Sequence, residues 1–235
     1  LHEPYRRQRQ MCIRDRWDQN AFLREAERYN DCLREAAQGL AIAWGNVAID
    51  WTKTNDDGRP RKYNVAFLAK DGAFLSPEGL HRPYAVKALL PNYRCFDDRR
   101  YFTSLLALAR EEGSTPEEAL APFVISLSGE TIRLSLLLCE DSWDENYSFS
   151  PMDVLSAKGS DLFLNLSASP FTLSKNEKRH RMLSAKLSRL HVPMLYVNRR
   201  GLENNGKTCY TFDGMTAAYG KDGCLLYTSP SPRDS

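Results

Sequence analysis

The 235-residue chain has no apolar run near the ~18 residues that a membrane-crossing helix needs. Arginines crowd its start, but no apolar stretch follows them, so no secretory signal is expected. Histidine is scarce at four, and no His/Cys cluster has zinc-ligand spacing, so no metal site is expected. The six cysteines include no C-x-x-C pair, which fits a reduced, cytoplasmic setting better than a disulfide framework. No G-x-G-x-x-G occurs, which argues against a Rossmann domain. Strong net charge is missing too. The total is +2, and residues 1–16 set five arginines against Glu3 and Asp15, leaving the remainder at −1. Neither nucleic acid nor an anionic membrane is an expected partner.

What is present is ordinary for a globular protein: 42% apolar and 26% charged residues. The length suits one large α/β domain with a substantial core. The two ends differ from the body. "RRQRQMCIRDR" has no apolar period, and "CLLYTSPSPRDS" breaks into Ser/Pro after a strand-like segment. Both read as translated sequencing-adapter sequence flanking an interior fragment of a longer protein. The alternative is a natural basic arm and a polar tail. The expected division is a foreign-looking segment 1–16, a body 17–223 and a foreign-looking tail 224–235. The body then holds Cys32, Cys95, Cys139 and Cys209.

Along the body, Phe22, Ala26, Tyr29, Leu33, Ala36 and Leu40 step by four and three, predicting an amphipathic helix over 21–40. Strands are predicted at 40–49, 63–69 and 84–90, with Asp71-Gly72 as a hairpin turn. "TPEE" predicts a short helix with Thr115 as N-cap and Glu118 closing a capping box. Strands "FVISL" and "IRLSLLLC" flank Ser128-Gly129. A helix at "SPMDVLSAKG", a strand at "DLFLNLSA", a helix at 175–190 and strands at "PMLYVNRRG" and "CYTFDGMTAAYG" follow. Hairpins early and helix–strand alternation late imply an α/β sandwich with mixed sheets.

Two positions carry chemistry. In "LLLCEDSW" (136–143) a thiol closes an apolar strand and two carboxylates follow. Reactive groups gather at the carboxyl ends of such strands, where the next turn's N–H groups can lower a thiol's pKa and receive an oxyanion. The bland alternative for Cys139 is a small apolar residue ending a strand. Lys87 lies inside "YAVKALL", where desolvation penalises its charge unless it is paired or used. Its alternative is a snorkelling lysine on an edge strand.

Together these residues resemble the carbon–nitrogen hydrolase (nitrilase) superfamily, and more closely the glutaminase domain of glutamine-dependent NAD synthetases. The resemblance rests on "K-x-x-LPNY-x-x-FD-x-x-RYF" from Lys87 to Phe102, "CEDSW" at 139–143, "NLSASPF" at 165–171 and "YVN…G…FDG" from Tyr196 to Gly214. It implies an α-β-β-α sandwich, here truncated at its N-terminus, with a Glu–Lys–Cys triad. Cys139 is then the nucleophile on the side-chain amide of glutamine. Lys87 and the backbone N–H of Glu140 stabilise the oxyanion. Tyr93, Asp98, Trp143, Ser169 and Lys175 are implied to line the glutamine pocket, with Lys175 facing the α-carboxylate. The position of Asp98 usually holds a glutamate, so the reach of the shorter side chain is in question. "FDG" (212–214) reads as a structural turn.

The general base should be a glutamate on an early strand, in a P-E-L-like segment that this sequence does not show. Glu3 has no matching context. The chain as written is therefore expected to be inactive. The resemblance further implies no cofactor for the amide step. ATP and magnesium would serve a synthetase domain outside this chain, to which ammonia is passed, and the protein would be a homo-oligomer. Two other readings stay open: a stand-alone amidase, nitrilase or carbamoylase, and a catalytically silent scaffold.

Overall fold

The computed structural model describes residues 13–55, 57–93, 96–204 and 209–229; Cys95 lies outside them. The chain runs through α1 (Asn20–Ala36), β1 (Ala41–Thr54), β2 (Pro60–Lys70), β3 (Ala73–Phe74), β4 (Ala85–Val86) and α2 (Leu105–Glu111). It continues through β5 (Phe123–Leu127), β6 (Glu130–Leu138), α3 (Pro151–Ala157), β7 (Leu162–Ser167) and α4 (Lys175–Leu190). β8 (Met194–Asn198), β9 (Arg200–Asn204), β10 (Cys209–Asp213), β11 (Ala217–Tyr219) and β12 (Leu225–Thr228) complete it. Short 3₁₀ turns at Asp98–Arg100, Cys139–Ser142 and Asp144–Asn146 interrupt the loops.

Two sheets stack face to face. The first has the order β1-β2-β3, with β4 also on β2, all antiparallel. The second has the order β12-β11-β8-β7-β6-β5; β6, β7 and β8 are parallel and the others antiparallel. Between the sheets, Ala66 and Leu68 of β2 meet Leu134, Leu136 and Leu138 of β6. On the outer faces, α1 and α2 cover Tyr63, Val65 and Phe67, while α3 and α4 cover Leu137, Phe163 and Met194. This is the α-β-β-α sandwich expected from the motifs. β9 and β10 form a separate hairpin.

Several local expectations need correction. The buried positions of α1 are Leu23 and Asn30, with Ala37 at its end, whereas Tyr29 and Leu40 are 54% and 49% exposed. The buried stripe is thus rotated, because Asn30 is satisfied inside: its Oδ1 accepts from Trp44 Nε1 at 2.9 Å and Asn46 Nδ2 at 2.7 Å. "TPEE" makes its capping box, Thr115 N to Glu118 Oε2 at 2.8 Å and Glu118 N to Thr115 Oγ1 at 3.2 Å, yet yields only a turn. The carbonyls a helix would use are taken: Lys158 donates to Glu117 O and Leu120 O, and Arg82 to Ala119 O. Pro122 then disfavours helix at Ala121. The helix of this region is α2, capped by Ser104, whose hydroxyl accepts from Ala107 N. "YAVKALL" pairs as strand only at Ala85–Val86.

The inner face of the second sheet thins out beyond β6. Leu195 and Val197 of β8 are 42% and 40% exposed, and β1 has no strand on its outer edge among the described residues. At the far edge β12 pairs antiparallel with β11. Among the described residues no helix is long and apolar enough to cross a membrane.

Candidate active site

β6, β7 and β8 run in parallel, so their carboxyl ends open on one side of the second sheet. Leu138 pairs with Leu166, and Ser167 pairs with Asn198. Cys139, the next residue after β6, therefore joins Ser167 and Asn198 in one row at the strand ends. Its φ is 45°, in the left-handed region that a non-glycine residue adopts only when its surroundings enforce it. That turn ends the strand and starts the Cys139–Ser142 3₁₀ segment.

Lys87 arrives from the other sheet. It follows β4, its N–H donates to Asn64 O at 2.9 Å, and it is 5% exposed. Its Nζ donates to Asp98 Oδ2 at 2.6 Å, so the aspartate reaches despite its shorter side chain. Burial pulls the ammonium's pKa down, but Asp98, Cys139 and Asp141 outweigh that and the net shift is upward. The lysine stays charged at neutral pH.

One residue that the sequence reading passed over ties the two sheets together at this point. Asp141 is 4% exposed. Its Oδ1 accepts from Ala88 N at 3.0 Å and Leu89 N at 2.9 Å, and its Oδ2 from Leu138 N at 3.1 Å. The backbone beside Lys87 and the backbone beside Cys139 thus hang on one carboxylate. Burial pushes its pKa up to about 6, against the downward pull of the three N–H groups and Lys87. Asp141→Asn should cost about 1–3 kcal/mol, since an amide cannot accept at both positions. A folded pKa above the unfolded 3.8 means that ionisation opposes folding, so the wild type loses stability as pH rises from 3.8 to about 6. Urea melts at pH 4 and pH 7 should show that loss in the wild type and its absence in the non-titrating variant.

The Cys139 thiol is pushed up by burial and by Glu140, and pulled back by Lys87, Ser167 and Lys175; the net shift is upward. The sulfur therefore rests protonated and needs a base. Glu140 is 6% exposed, and its Oε1 accepts 3.0 Å bonds from both Tyr93 and Tyr147. Tyr93 also donates to Oε2 at 3.0 Å. Ser169 is 2% exposed and clamped by Asn198: Ser169 N donates to Asn198 Oδ1 at 2.9 Å, and Asn198 Nδ2 donates to Ser169 O at 3.3 Å. Lys175 opens α4 and donates to Pro170 O at 3.1 Å.

The fold therefore gathers Cys139, Lys87, Asp98, Glu140, Tyr93, Ser169 and Lys175 around one strand end. Trp143 sits on the flank, half-buried against the core, with Lys178 Nζ 5.9 Å from its ring centre. A hollow of about 410 Å³ beside the Asp98–Arg100 turn is lined by residues such as Arg61, Arg99 and Arg100 and includes none of these groups.

No protein-family model matches the sequence. A glutamine-dependent NAD(+) synthetase of Thermotoga maritima is 32% identical over 207 residues, 88% of this chain and 30% of that protein. A solved glutamine-dependent NAD+ synthetase from Acinetobacter baumannii, in complex with ADP, has a TM-score of 0.63 at 25% identity, covering 87% of this chain and 32% of that one. A Nesterenkonia amidase of the nitrilase superfamily has a TM-score of 0.62 at 20% identity, covering 88% and 64%.

Over most of its length the chain is thus similar to glutamine-dependent NAD(+) synthetases, and it shares its fold with an amidase of the nitrilase superfamily.

It spans about a third of the length of the curated synthetases it matches. Beside the Asp141 tie, Lys186 supplies a second fastening that sequence reasoning missed. Its Nζ pairs with Asp144 and donates to Ser142 O at 3.2 Å, pinning the Cys139–Asn146 loop to α4. A lysine in a polar helix gives no signal of this. Asp213 of "FDG" accepts from Asn176 Nδ2 at 2.7 Å, in keeping with a structural turn.

Proposed function

We propose that this chain is a carbon–nitrogen hydrolase that acts on the side-chain amide of glutamine, with Cys139 as nucleophile. The observation that carries the reading is the charged Lys87, held by Asp98 and coupled to Cys139 across the two sheets. The sulfur adds to the amide carbon and the C=O pair moves onto oxygen. The resulting oxyanion is met by the Lys87 ammonium and the Glu140 backbone N–H. Collapse breaks the C–N bond, nitrogen leaves as ammonia after gaining a proton, and a thioester remains. Water then cleaves the thioester to glutamate and restores the thiol.

Glutamine carries both charges beyond its amide, and the site offers both complements. The Glu140 carboxylate with Tyr93 suits the α-ammonium; Lys175 and Ser169 suit the α-carboxylate. This favours an amino-acid amide over a simple one. Asp98 serves Lys87, and Trp143 closes the flank. No cofactor enters this step. In this proposal the ammonia passes to a synthetase part outside this chain, where ATP and magnesium would serve; the relatives are named as glutamine-dependent NAD(+) synthetases.

Lys175 gives the test of specificity. Lys175→Ala should slow labelling of Cys139 by a glutamine-shaped diazo-ketone about 10- to 100-fold, because one charge-assisted contact is worth roughly 1.5–3 kcal/mol. Iodoacetamide, which has no carboxylate, should be affected far less. Equal slowing of both reagents would remove Lys175 from carboxylate recognition.

A further inference from the structure

Buried polar groups are nearly always hydrogen-bonded. Behind Cys139 a set of them is not. Arg179 of α4 is fully buried, and its Nε and both terminal nitrogens have no hydrogen-bond partner. Asn165 Nδ2 and the Tyr196 hydroxyl are buried without a partner at full hydrogen-bond geometry, and Ser167 and Ser169 lie near that hydroxyl. Each of these groups can donate, and one is a full cation. Burying a cation without a partner is strongly unfavourable, so packing alone gives no reason for arginine at this position.

The register places them with respect to the sulfur. Leu137 pairs with Asn165, and Asn165 with Tyr196, on the helix-facing side of β6, β7 and β8. That row lies directly behind the row of Cys139, Ser167 and Asn198. The Arg179 guanidinium covers the Tyr196 ring at 4.7 Å from its centre.

We propose that Tyr196 is a neutral hydrogen-bond donor to the Cys139 thiolate, and that Arg179 is a positioning residue that holds and polarises that phenol. The proposal rests on Cys139 being the nucleophile. When the thiol loses its proton to a base, the Tyr196 O–H turns to the sulfur anion, a stronger acceptor than the neutral Ser167 and Ser169 hydroxyls that face it at rest. Nothing is oxidised or reduced. Burial and the neighbouring sulfur push Tyr196 up to about 12, so the phenol keeps its proton while the sulfur ionises. Arg179 acts on Tyr196, whereas the leading charges on Cys139 are Lys87, Glu140 and Lys175. In this proposal the arginine's influence reaches the sulfur through the phenol. The other groups facing the pair are Ser167 and Ser169 on the Tyr196 hydroxyl, and Tyr219 next to Arg179, whose hydroxyl lies 2.5 Å from His180 Nδ1.

The test is the pH dependence of iodoacetamide alkylation in the 235-residue chain, read by mass spectrometry on the Cys139 peptide because Cys32, Cys209 and Cys224 are also free. Tyr196→Phe and Arg179→Met should each raise the profile's midpoint by about one unit and slow alkylation about tenfold at pH 7. Arg179→Lys, which keeps the charge without the planar stack, should recover part of the rate. The melting temperature of Arg179→Met should hold or rise, since an uncompensated buried cation is gone. Damage to the fold would lower it instead. Should Arg179→Met fail to fold, Tyr196→Phe decides alone, as it removes one oxygen and keeps the ring. A folded Tyr196→Phe whose profile superimposes on the parent's overturns the proposal. A parent Cys139 that never alkylates overturns the nucleophile assignment itself.

Discussion

Lys87→Met is expected to slow alkylation of Cys139 at pH 7 by about 10- to 1,000-fold, because an adjacent opposite charge moves a pKa by roughly one to three units. Lys87 is the strongest influence drawing the buried thiol down. Without it, only Ser167 and the more weakly acting Lys175 oppose desolvation, and the thiolate fraction falls. In any catalysed reaction the loss is compounded, since removing one oxyanion donor costs about 10²–10³ in rate. The fold should persist. Methionine keeps the length and apolar bulk inside the site, and the Asp98 side chain, 20% exposed, can be solvated once its partner has gone. Circular dichroism and a thermal melt on the variant would check this. An alkylation rate equal to the parent's would mean that Lys87 does not act on the sulfur.

The second large effect concerns the base. Among the described residues no hydrogen bond joins the Cys139 sulfur to a carboxylate, and Glu140, the carboxylate beside it, is engaged by Tyr93 and Tyr147. The resemblance places the base on an early strand that this sequence does not show. General-base assistance contributes about 10²–10⁴-fold, so residues 1–235 should release ammonia from glutamine at least a hundredfold more slowly than a longer form carrying a P-E-L-like segment upstream. The exposed Leu195 and Val197 and the open edge of β1 should also make the 235-residue chain prone to association, which light scattering would show. Equal ammonia release by both forms would place the base inside this chain, with Glu140 and Asp98 the first positions to replace.

The sandwich was legible because its long elements keep one periodicity throughout. β6 is buried over its last five residues, where the apolar run Leu136–Leu138 closes it, and α4 begins and ends where its pattern does. Asp71-Gly72 and Ser128-Gly129 announced their turns, and all four residues have positive φ. Elements whose fate depends on distant partners were not legible. "TPEE" has every local helix signal, but Lys158 and Arg82 take its carbonyls from afar. Asn30 turned inward because two residues of β1 satisfy it.

The site divides in the same way. That Lys87 needs a partner was readable, because a lysine inside an apolar segment is costly unless paired, and Asp98 pairs it; Cys139 stood out by its place at the end of an apolar strand. Asp141 was not, since its value lies in three backbone N–H groups from two sheets, a contact that only the fold creates. Arg179 looked like one more cation in a polar helix; only its burial without a partner sets it apart.

The central claim is that Cys139 is the nucleophile of a glutamine-directed amide hydrolase, and one labelling experiment addresses it directly. The 235-residue chain is treated with a glutamine-shaped diazo-ketone, with and without excess glutamine, and the modified peptide is located by mass spectrometry. A single adduct on Cys139 is expected, suppressed by glutamine and absent from Cys139→Ser. An adduct on Cys32, Cys209 or Cys224 instead, or labelling of Cys139 that glutamine leaves unchanged, would contradict it.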